Sequence, residues 1–174
     1  MVLVLRRAAL FVAFVVAWAL LAAVVAHSAT SNVVSFSGFA PGTIVVKTEQ
    51  RRLYYVIDDR HALSFLVGVG RAGKEWTGRA HIDGKYVKPA WSPPQEIRRE
   101  HPDLPEVIAG GGADNPMGVA ALTMRGGEYA IHGTNNPASI GGFVSYGCIR
   151  MLNADISDLF ERVSVGTPVV VTSR

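Results

Sequence analysis

The sequence predicts a mainly β domain: a β-sandwich or partly closed barrel of mixed sheets with one accessory helix, preceded by an N-terminal hydrophobic helix. Three observations carry this reading. Between residues 43 and 69, three short runs rich in β-branched and aromatic residues are separated by the polar gaps TEQRR and DDRH, which is the pattern of an antiparallel meander. Residues 119–131 repeat that pattern around a Gly-Gly pair. One late stretch alone, from Asn153 to Val163, carries apolar residues at i, i+3, i+4 and i+7, the stripe of an amphipathic helix. A chain of 174 residues is long enough for one ordinary domain with a sizeable core.

The elements follow in order. Arg6 and Arg7 precede 19 unbroken apolar residues, Ala8 to Ala26. A basic start, an apolar stretch and then small residues form an export signal. About 20 apolar residues also suffice to span a bilayer, so residues 1–29 read as a signal peptide or a signal anchor. Either way the arginines stay cytoplasmic and the rest is exported. Residues 30–42, rich in Ser, Gly and small residues, read as a linker, and residues 43–174 as the folded domain.

Removing residues 1–29 changes the composition. The remainder carries 15 basic and 14 acidic residues. The nominal net charge of +3 therefore gives no support to nucleic-acid binding, which requires a clustered basic surface. The hydrophobic share falls from 49% to about 41%, ordinary for a soluble domain.

Within the domain, Thr43–Lys47, Leu53–Ile57 and Ala62–Val69 read as strands. Gly70–Pro116 is irregular, holding Trp76, Trp91, Pro93-Pro94 and a short polar helix at Glu96–His101. Loops of this length inside a compact domain are usually lids or binding walls. Val119–Met124 and Tyr129–Ile131 read as a hairpin closed tightly by Gly126-Gly127. Asn153 is the expected N-cap of the helix, with Asp155 in the first turn. Val165-Gly166-Thr167-Pro168 ends the helix, and Val169–Thr172 is a last strand.

The chemistry concentrates in Ile131–Ile156. Cys148 is the sole cysteine, which excludes an internal disulfide framework and a Cys-rich zinc site. A lone thiol is most often a small buried hydrophobe. Here it sits among glycines and polar residues of an exported chain, where an unpaired thiol is exposed to oxidation. A thiolate is the attacking species, and an imidazole in reach takes the proton. His132 follows a strand 16 residues upstream, and Gly133, Gly141, Gly142 and Gly147 ease the return of the chain. The N–H groups of Gly147 and Cys148 are candidate oxyanion donors. Arg150 is a candidate for bidentate carboxylate binding. His61, His81, His101 and His132 lack metal-ligand spacing, so no metal site is expected.

The run Ser145-Tyr146-Gly147-Cys148-Ile149-Arg150, with Ile131-His132-Gly133-Thr134 upstream, resembles the L,D-transpeptidase catalytic domain (YkuD-type). Its signature is a His, a gap, then Ser/Thr-His-Gly-Cys, one residue, and Arg or Asn. Gly42–Val46, Arg52-Leu53-Tyr54, Trp91–Pro94, Asp114–Gly118 and Val165–Val171 are similar to it as well. The resemblance covers about Gly42 to Thr172. It implies cysteine acyl transfer on peptidoglycan stem peptides, without a metal or organic cofactor. Cys148 would be the nucleophile and His132 the base, oriented by the Gly133 carbonyl. Backbone N–H groups around Tyr146-Gly147-Cys148 would form the oxyanion hole. Ser145 would support the loop, and Arg150 would bind a carboxylate of the stem.

The family relation further implies acylation by carbapenem-type inhibitors, a place in the bacterial cell envelope (periplasm), and attachment to the inner membrane if residues 1–29 are retained. Two departures stand out. Tyr146 replaces the usual His, and Thr77-Gly78-Arg79-Ala80 breaks the usual Thr-Pro-x-Gly. Hydrolysis of stem peptides and non-catalytic wall binding are the competing expectations.

Overall fold

A computed structural model of the chain describes residues 32–174. The expected signal or anchor, residues 1–29, lies outside the described residues. Strands β1 (Asn32–Ser35), β2 (Ile44–Lys47), β3 (Arg52–Val56) and β4 (His61–Leu66) come first. The short strand β5 (Val69–Gly70) and the long strand β6 (Gly78–Val87) follow. Helix α1 (Gln95–Glu100) lies within a long connection to β7 (Ala120–Met124) and β8 (Tyr129–His132). The motif region contributes β9 (Phe143–Ser145) and β10 (Ile149–Arg150), and the chain closes with α2 (Asn153–Arg162) and β11 (Pro168–Thr172).

Nine strands form one mixed sheet, ordered β1-β4-β3-β2-β11-β6-β7-β8-β10, and β5 and β9 pair separately in parallel. The partly closed barrel is not observed. Instead β6 serves two halves of an open sheet: its first residues pair with β11 and its later ones with β7. The register shifts between Ile82 and Gly84. A bulge of this kind bends a strand and raises its twist, so one continuous sheet can wrap a common core. That core takes Ile44, Leu53 and Phe65 from one half and Ile82, Leu122, Ile131 and Ile149 from the other. Helix α2 packs on β7 and β8 and adds Ile156, Leu159 and Val163. Lys85 donates to the Phe160 and Val163 carbonyls at 2.7 and 2.6 Å. It thereby satisfies acceptors that the end of a helix leaves open.

The β7–β8 hairpin forms as expected, its loop running through Arg125-Gly126-Gly127-Glu128 with Arg125, Gly126 and Gly127 at positive φ. Three expectations are corrected. Residues 32–35, read as part of a linker, form edge strand β1, paired antiparallel with β4. The segment read as irregular from Gly70 contains β6, the longest strand. Finally, Leu152 is the N-cap of α2 and makes no side-chain cap bond; the Asn153 side chain is engaged elsewhere, as described next.

Candidate active site

Strands β8 and β10 pair in parallel, with Ile131 opposite Ile149 and His132 opposite Arg150. Side chains alternate across a strand. Ile131 and Ile149 therefore enter the core, where both are buried, while His132 and Arg150 share the other face. Cys148 sits one residue before β10 and continues the alternation of Arg150. This pairing brings residues 16 and 18 positions apart in sequence onto one patch.

His132 is buried, and its Nδ1 lies 2.7 Å from the Gly133 carbonyl oxygen. A carbonyl can only accept, so Nδ1 carries the proton and Nε2 is left as the basic nitrogen. Burial, reinforced by the Arg150 charge and opposed by the backbone contacts of Gly133 and Pro116, lowers its pKa to about 4. Burial pushes the Cys148 thiol up, against a backbone hydrogen bond from Ala130 and the charge of Arg150. The resting pair is therefore neutral thiol and neutral imidazole. Arg150 is half-buried. Its enclosed Nε has no hydrogen-bond partner among the described residues. A guanidinium stays protonated in proteins, so Arg150 brings an unneutralised cation to this face.

Ser145 staples the motif. Its hydroxyl accepts from the Gly147 N–H at 3.1 Å and donates to the Cys148 carbonyl at 2.6 Å. The Gly147 N–H, expected at the oxyanion hole, is committed to Ser145, so the Tyr146 and Cys148 N–H groups are the candidate donors of this turn. Gly147 itself is required by φ +116° and by the Tyr129 ring, only 2.5 Å from where a Cβ would stand. Its carbonyl accepts from the Trp76 indole at 3.0 Å. Trp76 stacks on Tyr129 with ring centroids 4.8 Å apart, and Arg125 lies over both rings. This aromatic pair forms a wall beside the thiol.

Asn153 secures the other side. Its Oδ1 accepts from the Thr134 N–H at 3.0 Å and the Val119 N–H at 3.4 Å. A Cβ on Gly118 or Gly133 would stand 2.3 Å from that oxygen. Gly133 is therefore needed for this approach as well as for its carbonyl. Tyr146 points its hydroxyl to Glu100 of α1, and the Arg71 guanidinium lies 4.1 Å from the centre of its ring.

All seven residues singled out from the sequence thus meet at one place: Cys148, His132, Gly133, Gly147, Arg150, Ser145 and Tyr146. Sequence reasoning missed Trp76, Tyr129, Asn153, Arg71 and Glu100. Asn153 alone offered a signal, a polar residue just after the motif, and its capping tendency pointed to a different use. Among the described residues no group of three or more His, Cys, Asp or Glu is placed to hold a metal.

Comparison with known proteins fits this geometry. The family model described as the L,D-transpeptidase catalytic domain matches residues 41–171. The Escherichia coli protein ErfK/SrfK, named a probable L,D-transpeptidase, is 41% identical over 140 residues, 75% of this chain and 44% of its own length. The chain thus spans less than half the length of that relative. The structure of L,D-transpeptidase 3 from Mycobacterium tuberculosis in complex with a faropenem-derived adduct superposes with a TM-score of 0.57. It does so at 16% identity, over 75% of this chain and 59% of that one. A Brucella melitensis structure named a probable carnitine operon oxidoreductase is 37% identical with a TM-score of 0.55, covering 82% of this chain and 92% of its own. That name and the family description differ, and the His132 and Cys148 motif follows the latter. With the match spanning almost the whole bent sheet and the motif turn, the chain belongs to the L,D-transpeptidase catalytic domain family.

Proposed function

We propose that this protein is a peptidoglycan L,D-transpeptidase, with the fold that begins at β1 and runs to β11 as its catalytic domain. One observation carries the reading: the parallel β8–β10 pair sets His132, Cys148 and an unpaired Arg150 on a single face. Cys148 Sγ attacks the carbonyl that joins the L-centre of a stem tetrapeptide to its terminal D-residue. His132 Nε2 takes the thiol proton as the C–S bond forms. The developing oxyanion is met by the Tyr146 and Cys148 N–H groups. On collapse the C–N bond breaks, and the proton passes from His132 to the departing D-amino acid. An amine of a second stem then attacks the thioester, His132 accepts its proton, and the thiol re-forms as the new amide is released.

Arg150 suits a stem carboxylate because a half-buried guanidinium without a partner gains most from an anion. Proton transfer between two neutral groups needs no charge separation beforehand. It fits a buried pair better than a standing thiolate–imidazolium pair does.

The test is an assay with purified muropeptides, wild type beside Cys148→Ala, read by mass spectrometry. Cross-linked dimers from the wild type alone are expected. Trimmed monomers without dimers would instead assign water as the acceptor, making the protein an L,D-carboxypeptidase or endopeptidase. No product from either protein would leave a wall-binding module. Carbapenems should add to Cys148, a reading supported by the adduct derived from faropenem, a penem β-lactam, in the Mycobacterium tuberculosis structure. The basic and apolar order of residues 1–29 supports an envelope location, tethered to the inner membrane or released to the periplasm. Cell fractionation with an antibody to the domain tests it.

A further inference from the structure

The connection from β6 to β7 is a flap with a firm neck and a loosely held tip. At the neck, Trp91 and Ile108 exchange backbone hydrogen bonds of 2.9 and 2.8 Å. Asn115, fully buried, donates to the Pro89 and Ala109 carbonyls, each at 2.9 Å. Beyond Pro93 the character changes: from Pro94 to Val107 no residue is buried. The tip's apolar residues Ile97 and Leu104 are only partly buried, so it has no fully buried anchor of its own. Its ties to the body are polar. Glu100 accepts from Arg71 at 2.7 Å and from the Tyr146 hydroxyl, and Glu96 pairs with Lys74.

Each tie ends at the catalytic motif. Arg71 N–H donates to the Ser145 carbonyl at 2.9 Å. A Cβ on Gly147 would approach the Lys74 carbonyl at 3.4 Å. Tyr146 is two residues from the nucleophile candidate. A phenol is longer than the imidazole common at this position, and it is this hydroxyl that meets Glu100.

We propose that Arg71, Glu100 and Tyr146 form a latch that holds the flap tip against the Cys148 turn, and that its release opens the thiol to large reactants. Exposed ion pairs are individually weak and are screened by salt. With no buried side chain to oppose release, charge screening alone can free the tip. Tyr146 and Glu100 act here as positioning residues, through the flap and not on the reacting atoms. The inference stands apart from the transpeptidase reading, since the thiol's own accessibility reports it.

The experiment measures alkylation of Cys148 in the full chain at one fixed pH, with iodoacetamide as a small reagent and a polyethylene glycol maleimide as a large one. Raising NaCl from about 0.05 to about 1 M, which shortens the screening length severalfold, should speed the large reagent about threefold or more. The small reagent should change little. Tyr146→Phe keeps the ring beneath Arg71 but removes the hydroxyl, and Glu100→Gln removes the charge. Each should show the high-salt rate already at low salt and lose the salt response. A large-reagent rate unchanged by salt and by both variants overturns the latch. So does equal acceleration of both reagents, which would mean general loosening.

Discussion

A buried imidazole with a pKa near 4 makes His132 a base that is ready at neutral pH and vulnerable in acid. In the unfolded chain a histidine titrates near 6.5, while in the fold it titrates at about 4. Between those values the unfolded state binds the proton and the folded state does not, so stability rises with pH across that window. It is complete above about pH 6.5 and is lost progressively down to about 4. The shift corresponds to about 3 kcal/mol. His132→Gln, which has no proton to gain, should flatten the acid side of the stability curve measured by urea titration at several pH values. The same variant should slow acylation of Cys148 by a carbapenem by about 10² to 10⁴, the usual worth of a positioned base. In the wild type the acid limb of that acylation should fall near pH 4, with far-UV circular dichroism confirming the fold at each point. A limb between pH 6 and 7 would show instead that the imidazole titrates as in water.

At the scale of the element, two side-chain oxygens fix the backbone around the site, one in the β9–β10 turn and one beside the end of β8. Ser145 Oγ ties the Gly147 N–H to the Cys148 carbonyl, and Asn153 Oδ1 gathers the Thr134 and Val119 N–H groups. Replacing either by Ala leaves backbone groups without partners, at a cost of about 1–3 kcal/mol for each buried orphan. Ser145→Ala should lower kcat more than it raises KM, because the turn that presents Cys148 loses its staple. Asn153→Ala should lower the midpoint of thermal unfolding, and the two losses should add because the residues share no partner. A single residue, Gly147, joins turn and wall. Gly147→Ala meets both a positive φ and the Tyr129 ring, so it should abolish acylation even if the variant folds.

The same scale explains what could be read beforehand. The meander β2–β4, the α2 stripe and the His132–Cys148 pair were legible because each is written in neighbouring residues or in a compact motif. Strand β6 was not. Its buried positions are Ala80, Ile82 and Gly84, separated by His81 and Asp83, so Ile82 is the one large apolar residue among them. Strand β1 carries only two valines between polar residues. The Trp76–Gly147 and Glu100–Tyr146 contacts span 71 and 46 positions. No local pattern encodes such contacts, since tertiary folding alone brings their partners together.

For the whole molecule, the bend at β6 means that the half carrying the site has no core of its own. Leu122, Ile131 and Ile149 pack in the same cluster as Ile44, Leu53 and Phe65 from the far half. A parallel strand of two residues such as β10 has too few hydrogen bonds to hold its register alone. The face bearing His132 and Arg150 is thus positioned by apolar burial behind it. Phe65 lies on β4, fully buried, with three strands between β4 and β6 in the sheet order. Phe65→Ala should cost about 3–5 kcal/mol. If the two halves share one core, that loss must reach the site as well. Urea titrations followed by hydrogen exchange of the β2–β4 amides and by Cys148 alkylation should then shift together, with coincident midpoints in wild type and variant. A Cys148 transition that stays in place while the β2–β4 transition moves would show two independent halves, and would sink the account of a single bent sheet holding its catalytic face from behind.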